Sequence, residues 1–364
     1  MTIAFRLLMP VFLSLCLASG WLWAYPLDGY EETGIRRVEG ARLANEGLAK
    51  GGYQPAGAML TTDQVGLRLL GKNISLPPAN PEFTAQIVAL LGDNADRYGI
   101  AVLDLTDRDN LRYAEHRGDH LQNLGSVGKL LVALGLFQAL ADAWPDDLDK
   151  RVSILRDTVV TADDFSVSDH HTIRIFDVEN RELTRRTMAI GDKGSLWEYL
   201  DWTLSVSSNS AAAMTMREAM LLRHFGKDYP VSEEQIKTFF STTPSSELTS
   251  LFQKTFWDPV TLNGLPLDQI RQGSFFTRQG KANVAGGGNS YATARTLMDF
   301  LLKMEEGVLV DEWSSLQIKR LLYMTERRIR YASSPELKDA AVYFKSGSLY
   351  KCGPEEGFTC KAYH

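Results

Sequence analysis

Residues 124–144, LGSVGKLLVALGLFQALADAW, constrain this chain more than any other stretch. Leu130, Leu131, Val132, Leu134, Leu136, Phe137 and Leu140 cover nearly every side of a 3.6-residue period. The stretch therefore predicts a helix buried inside a domain, with other elements packed all round it. At its start stand Ser126 and Lys129, on one face and a turn apart. Burial disfavours charge, so a lysine against a dry wall loses part of its preference for the protonated form. A neutral amine beside a hydroxyl can take the hydroxyl proton and so activate a weak nucleophile. A serine at a helix N-terminus also has its backbone N–H available for a developing oxyanion. Ser126 is thus the candidate nucleophile and Lys129 its base. The same letters can spell a helix cap followed by a lysine that snorkels outward, and Ser348 and Lys351 repeat the spacing. Residues further along the chain decide between these.

Composition excludes several classes. The chain of 364 residues is 44% hydrophobic and 23% charged, which suits a soluble globular protein with a sizeable core. A formal net charge of −6 without a basic cluster argues against a nucleic-acid partner. The six histidines include no H-E-x-x-H and the cysteines lack zinc spacing, so no metal or other cofactor is expected. His170-His171 reads as an exposed loop. No G-x-S-x-G elbow is present.

Residues 1–24 carry Arg6, an apolar stretch broken by Pro10, and the small residues Ala18, Ser19 and Gly20, the pattern of a secretory signal. An uncleaved anchor is the alternative, and only then is membrane contact expected. If Cys16 leaves with the signal, Cys352 and Cys360 remain, either as a disulfide suited to export or as two free thiols. The expected location is periplasmic or secreted. Residues 25–78 form an N-terminal extension, and residues 79–364 the main domain.

Periodicity predicts a helix over 81–98, a strand over 99–105 and its hairpin partner over 111–117. Residues 151–192 read as an elaborated loop region. Helices are expected over 195–204, 211–225, 294–305 and 310–325. Residues 261–288 look loop-like and end in Gly286-Gly287-Gly288, and 340–348 are β-rich. The fold class is α/β (α+β), an antiparallel sheet flanked by helices beside a helical lobe, with the site between them.

Three short motifs line up in order: Ser126-x-x-Lys129 opening the buried helix, Ser207-x-Asn209 between two helices, and Lys345-Ser346-Gly347 in the late β-rich stretch. In this arrangement the chain resembles the penicillin-recognising serine enzymes, which include class A β-lactamases and D-Ala-D-Ala peptidases. Residues 194–198 and 289–295 add to the likeness, which covers about 81–347. It implies a β-lactamase/transpeptidase-like fold and an acyl-serine formed at Ser126. Ser207 would relay a proton to the departing nitrogen, and Lys345 would hold the electrostatic field. Asn209 would bind a substrate amide, and the N–H groups of Ser126 and Ser348 would form the oxyanion hole. Lys345 and Ser346 would meet a substrate carboxylate.

Three departures matter. Class A enzymes activate the deacylating water with a glutamate followed by proline and a nearby asparagine. Trp257-Asp258-Pro259-Val260-Thr261-Leu262-Asn263 resembles that loop, with Asp258 one methylene shorter than glutamate, or else is a surface turn. Slow deacylation is expected. The middle residue of the S-x-N motif is Ser208, where many class A enzymes carry aspartate. The sequence also stops 17 residues after Gly347, at His364, where the family continues, so the domain is expected to be C-terminally incomplete. The implied substrate is a small-molecule β-lactam or a cell-wall peptide. The expected activities are β-lactam opening, D-Ala-D-Ala peptidase chemistry, or penicillin sensing without turnover.

Overall fold

The computed structural model describes residues 28–51, 54–325 and 332–348. The expected signal over 1–24 and the pairing of Cys352 with Cys360 lie outside those residues. The described chain begins with α1 (Tyr30–Thr33) and α2 (Arg36–Asn45), then α3 (Pro81–Ala89) and the hairpin of β1 (Ile100–Asp104) and β2 (Arg112–His116). Next come α4 (Lys129–Ala143), α5 (Leu148–Asp157), β3 (Val159–Thr161), β4 (Thr172–Asp177), β5 (Glu182–Thr187) and β6 (Lys193–Ser195). The helical part continues with α6 (Leu196–Leu204), α7 (Asn209–Phe225), α8 (Glu233–Thr242), α9 (Ser245–Phe256) and α10 (Asp258–Leu262). It closes with β7 (Ile270–Arg271), α11 (Arg278–Asn283), β8 (Tyr291–Ala292), α12 (Ala294–Glu306) and α13 (Glu312–Tyr323).

The β structure consists of antiparallel pairs: β1 with β2, β3 with β6, β4 with β5, and β7 with β8. In the first, Ile100 faces His116 and Asp104 faces Arg112. Among the described residues these are four short ladders rather than one continuous sheet. The late stretch expected to be β-rich joins none of them among the described residues. Two of its hydrogen bonds go to the end of α13: Phe344 N donates to Leu322 O at 3.3 Å, and Thr325 Oγ1 donates to Phe344 O at 2.8 Å.

Helix α4 is the centre of the core, as its apolar circumference predicts. All seven of its large apolar side chains named above are buried, and α6, α7 and α9 pack against it. Each such side chain contributes about 1.5–3 kcal/mol on leaving water. Gly135 lets α9 come close, since a Cβ there would stand 2.6 Å from the Thr255 carbonyl oxygen.

Residues 151–192 are more ordered than the loop expected. Asp147 caps α5 by accepting from Lys150 N at 2.9 Å. The Arg151 side chain is buried because its Nε and Nη2 donate to the carbonyl oxygens of Trp144 and Pro145, both at 2.6 Å. In the β4–β5 hairpin only Ile173 and Phe176 are buried and all of β5 is exposed. Two buried side chains three residues apart on one strand leave no regular alternation, which is why the hairpin reads as polar loop.

The N-terminal extension grips the domain at several points. Arg36 Nε and Nη2 donate to the two carboxylate oxygens of Glu198 at 2.9 and 3.0 Å. Arg37 Nε and Nη2 make the same fork on Asp201 at 2.5 and 2.6 Å. Both acids lie on α6, and Glu198 also closes a capping box with Ser195. Further on, Tyr323 OH donates to Gly57 O at 2.8 Å and Gly57 N donates to Lys338 O at 2.8 Å. The extension is thereby tied both to the helix that runs into Ser207 and to the segment that runs into Lys345.

Candidate active site

Ser126 sits in a 3-10 turn, Gly125–Gly128, that leads directly into α4. Gly125 adopts φ +49, a left-handed conformation that lets the chain enter the turn. Lys129 opens α4 one turn later, and its Nζ lies 3.0 Å from Ser126 Oγ.

Lys129 is fully buried, at 0% exposure. Besides Ser126, its Nζ reaches Asn209 Oδ1 at 2.7 Å, Ser207 O at 3.0 Å and Ser207 Oγ at 3.4 Å. Burial, followed by the charge of Lys345, holds the amine well below the usual lysine range, while Asp169 pulls weakly the other way. The Phe276 ring, with its centroid 4.4 Å from Nζ, favours a cation, but one ring face does not offset full desolvation. A neutral amine has two N–H donors and one lone pair. In that form, with its donors on the carbonyl oxygens of Asn209 and Ser207, the lone pair is left for the Ser126 hydroxyl.

Ser207 and Asn209 lie where α6 gives way to α7. Ser207 adopts φ +65, a conformation that costs a non-glycine residue about 1–3 kcal/mol and is kept only when the surroundings impose it. Ser208 caps α7 by accepting from Ala211 N at 3.1 Å. Lys345 Nζ donates to Ser207 Oγ at 2.8 Å and to Ser346 O at 2.8 Å. The backbone that follows runs beside the nucleophile: a Cβ on Gly347 would stand 2.8 Å from Leu124 O and 3.2 Å from Ser126 N. A Cβ on Gly125 would stand 3.2 Å from Ser348 O. Ser126, Lys129, Ser207, Asn209 and Lys345 therefore converge, with Ser346, Gly347 and Ser348 along one edge.

Asp258 does not join them. It is exposed and starts α10, with Pro259 in that helix's first turn. Asn263 donates to Pro259 O at 2.7 Å and to Gln138 Oε1 at 3.1 Å, and accepts from Val310 N at 2.5 Å. Gln138 is nine residues along α4 from Lys129, about 13.5 Å at 1.5 Å per residue. The letters that resemble a water-activating loop thus spell a short capped helix toward the far end of α4. The wall over Lys129 is built instead from Phe276, while Gln272 packs on Gly128, where its Oε1 would lie 2.1 Å from a Cβ.

Asp169 and His171 are additions that sequence reading missed. His171, expected on an exposed loop, is half-buried, with Nδ1 2.6 Å from Asp169 Oδ1. Burial lowers the imidazole pKa, opposed by Asp169 and reinforced by Lys129. Burial acts to raise the Asp169 carboxyl, but hydrogen bonds from His171 and from the backbone outweigh it and hold the group well below its usual range. Asp169, His170 and His171 bring three ligand-type atoms within 4.8 Å of one another. The Asp169 oxygens, however, are already filled by N–H and O–H donors, and the two imidazoles stack at 4.4 Å rather than converge. The trio suits an anchor better than a metal centre.

No curated protein matches the chain. Among solved structures it is similar to PBP-A at 14% identity, over 70% of this chain and 73% of that one, with a TM-score of 0.40. It is similar to a beta-lactamase from Sphaerobacter thermophilus at 12% identity, over 68% and 71%, with a TM-score of 0.42. A beta-lactamase from Chitinophaga pinensis gives 14% identity, 73% and 78%, and a TM-score of 0.40. A family model described as the beta-lactamase enzyme family matches residues 82–359.

Proposed function

This chain belongs to the beta-lactamase enzyme family, and from that we propose that it is an exported serine hydrolase that opens β-lactam amides through an acyl-serine at Ser126. The observation that carries the reading is the Lys129 amine, buried, 3.0 Å from Ser126 Oγ, with two carbonyl oxygens fixing its other bonds. Ser126 Oγ bonds to the carbonyl carbon while its proton passes to Lys129 Nζ. The C–N bond then breaks, and a proton reaches the departing nitrogen through Ser207 Oγ. Lys345, 2.8 Å from that oxygen, lowers the cost of negative charge on it as the proton leaves. The backbone N–H groups of Ser126 and Ser348 serve the oxyanion, and Lys345 with Ser346 receives the substrate carboxylate.

A second reading is favoured by the wall over Lys129. Among the described residues, Nζ is bonded to Ser126, Ser207 and Asn209 and covered by the Phe276 ring, with no carboxylate in contact. Water activation at the acyl-enzyme is then weak, which suits a D-Ala-D-Ala peptidase or a penicillin-binding sensor more than a fast β-lactamase. Incubation with a fluorescent penicillin tests the core of both readings. The full chain is expected to form a covalent adduct that Ser126→Ala cannot form, and an adduct persisting in that variant refutes the assignment. Rapid nitrocefin turnover favours the β-lactamase, release of D-alanine from a D-Ala-D-Ala peptide the peptidase, and adduct without either the sensor.

A further inference from the structure

The middle position of the S-x-N motif brings no charge to α7, because it is Ser208. The first N–H groups of a helix have no acceptor inside it and, with the helix dipole, favour a carboxylate there. In this chain a carboxylate arrives from about forty residues upstream. Asp169 Oδ2 accepts from Ser208 Oγ at 2.8 Å, Asn209 N at 2.7 Å and Ser210 N at 3.0 Å. Its Oδ1 accepts from His171 Nδ1 at 2.6 Å and from the backbone N–H groups of His170 and His171 at 2.8 and 3.1 Å. The side chain is 2% exposed.

The same segment is braced at two other points. Ser210 Oγ donates to Ser166 O, and Thr277 Oγ1 donates to Phe165 O at 2.7 Å. Residues 165–171 thus connect the start of α7 with the strand of chain that carries Phe276. Between these braces Ser207 is held at φ +65 and turns its carbonyl onto Lys129. Asn209 turns its Oδ1 onto the same amine. Those two oxygens fix where the lone pair of Lys129 points.

We propose that Asp169 is a positioning residue: it supplies through space the carboxylate that the motif lacks at Ser208, and through the N–H groups of Asn209 and Ser210 it sets the angle at which Lys129 meets Ser126. The proposal rests on the acyl-serine reading for its effect on rate, but the anchor itself has a readout of its own. Asp169→Ser removes the carboxylate, and Asp169→Ser/Ser208→Asp moves it into the motif.

Acylation of each variant by fluorescent penicillin is followed at several concentrations, alongside amide hydrogen exchange at Asn209 and Ser210. Asp169→Ser is expected to slow the acylation step by about 100-fold, the scale of a 1 Å misplacement, with little change in the half-saturating concentration. Exchange at Asn209 and Ser210 is expected to speed up in the same variant. The double variant is expected to recover most of the rate and the protection. Should Asp169→Ser not fold, Asp169→Asn, which keeps the shape and one acceptor but not the charge, is expected to lose about tenfold by the same mechanism. A folded single variant with wild-type acylation and exchange overturns the proposal, as does a loss that the double variant fails to recover. If the wild-type chain is not acylated at all, the acyl-serine reading falls, and hydrogen exchange alone decides whether Asp169 is the anchor.

Discussion

Two of the three arginines of helix α2, Arg37 and Arg42, make ion pairs of nearly the same length in very different surroundings. Arg37 binds Asp201 at 2.5 and 2.6 Å, with side-chain exposures of 12% for the arginine and 0% for the acid. Arg42 binds Glu39 at 2.6 Å and Glu46 at 2.8 Å, but is itself 32% exposed. Removing one partner of a buried pair strands an uncompensated charge and costs about 3–5 kcal/mol. Removing one partner of a solvated pair costs roughly 0–1 kcal/mol. Arg37→Ala also loses the donor to Met324 O at 3.1 Å. The expectation is therefore a loss of about 3–5 kcal/mol for Arg37→Ala, lowering Tm by about 6–15 °C at 2–3 °C per kcal/mol. Arg42→Ala should fall within about 1 kcal/mol of the parent. Urea titration followed by tryptophan fluorescence reads both, with equal m-values required for the comparison. Equal losses in the two variants would refute the reasoning, since burial is the property that separates them. Replacing Arg37 and Asp201 together by apolar residues of similar volume should recover much of the loss, because no lone charge is then left inside.

The remaining predictions concern the site. Lys129 must be neutral to accept a proton, so acylation should rise with pH along an acid limb below the usual lysine range, and a limb at or above that range would contradict the assignment. Lys345→Met removes the neighbouring charge that helps depress this amine, so its limb should move to higher pH; no movement would mean the two amines do not interact. The same shift has a stability counterpart. Between the depressed pKa and the usual value of 10.5 the unfolded chain binds more protons at Lys129 than the folded one, so this group makes stability rise with pH across that window. Gly347→Ala would place a methyl 2.8 Å from Leu124 O, forcing backbone apart beside Ser126. Acylation should fall by about tenfold or more with little change in Tm.

Features with a local signature were legible in the sequence. The burial of α4 follows from its unbroken apolar circumference, and the pairing of Ser126 with Lys129 from helical pitch. Ser207, Asn209 and Lys345 were found through motif order, which stands in for contacts that no local rule encodes. Asp169 was missed because its partners at 208–210 lie about forty residues away and nothing in Asp-His-His says so. The vacant charge at Ser208 was the available hint. Asp258 misled for the opposite reason: an aspartate, a proline and an asparagine at such spacing also make the start and end of a short helix. Residues 25–78 gave no functional signal, because Arg36 and Arg37 look like any basic pair until Glu198 and Asp201 are seen beneath them.

The order in which the pieces of the cleft occur along the chain has a consequence for biosynthesis. A ribosome delivers Ser126 and Lys129 early, then Asp169 with the loop it restrains, and Lys345 last of the five converging groups. A domain generally folds as a unit, so the cleft is complete only once that last segment has emerged. Until the final cation docks on Ser207, the lysine keeps more of its proton and the serine stays a poor attacker. On the acyl-serine reading, the nascent protein is thereby slow to be acylated by the carbonyl compounds it meets before synthesis of that last segment.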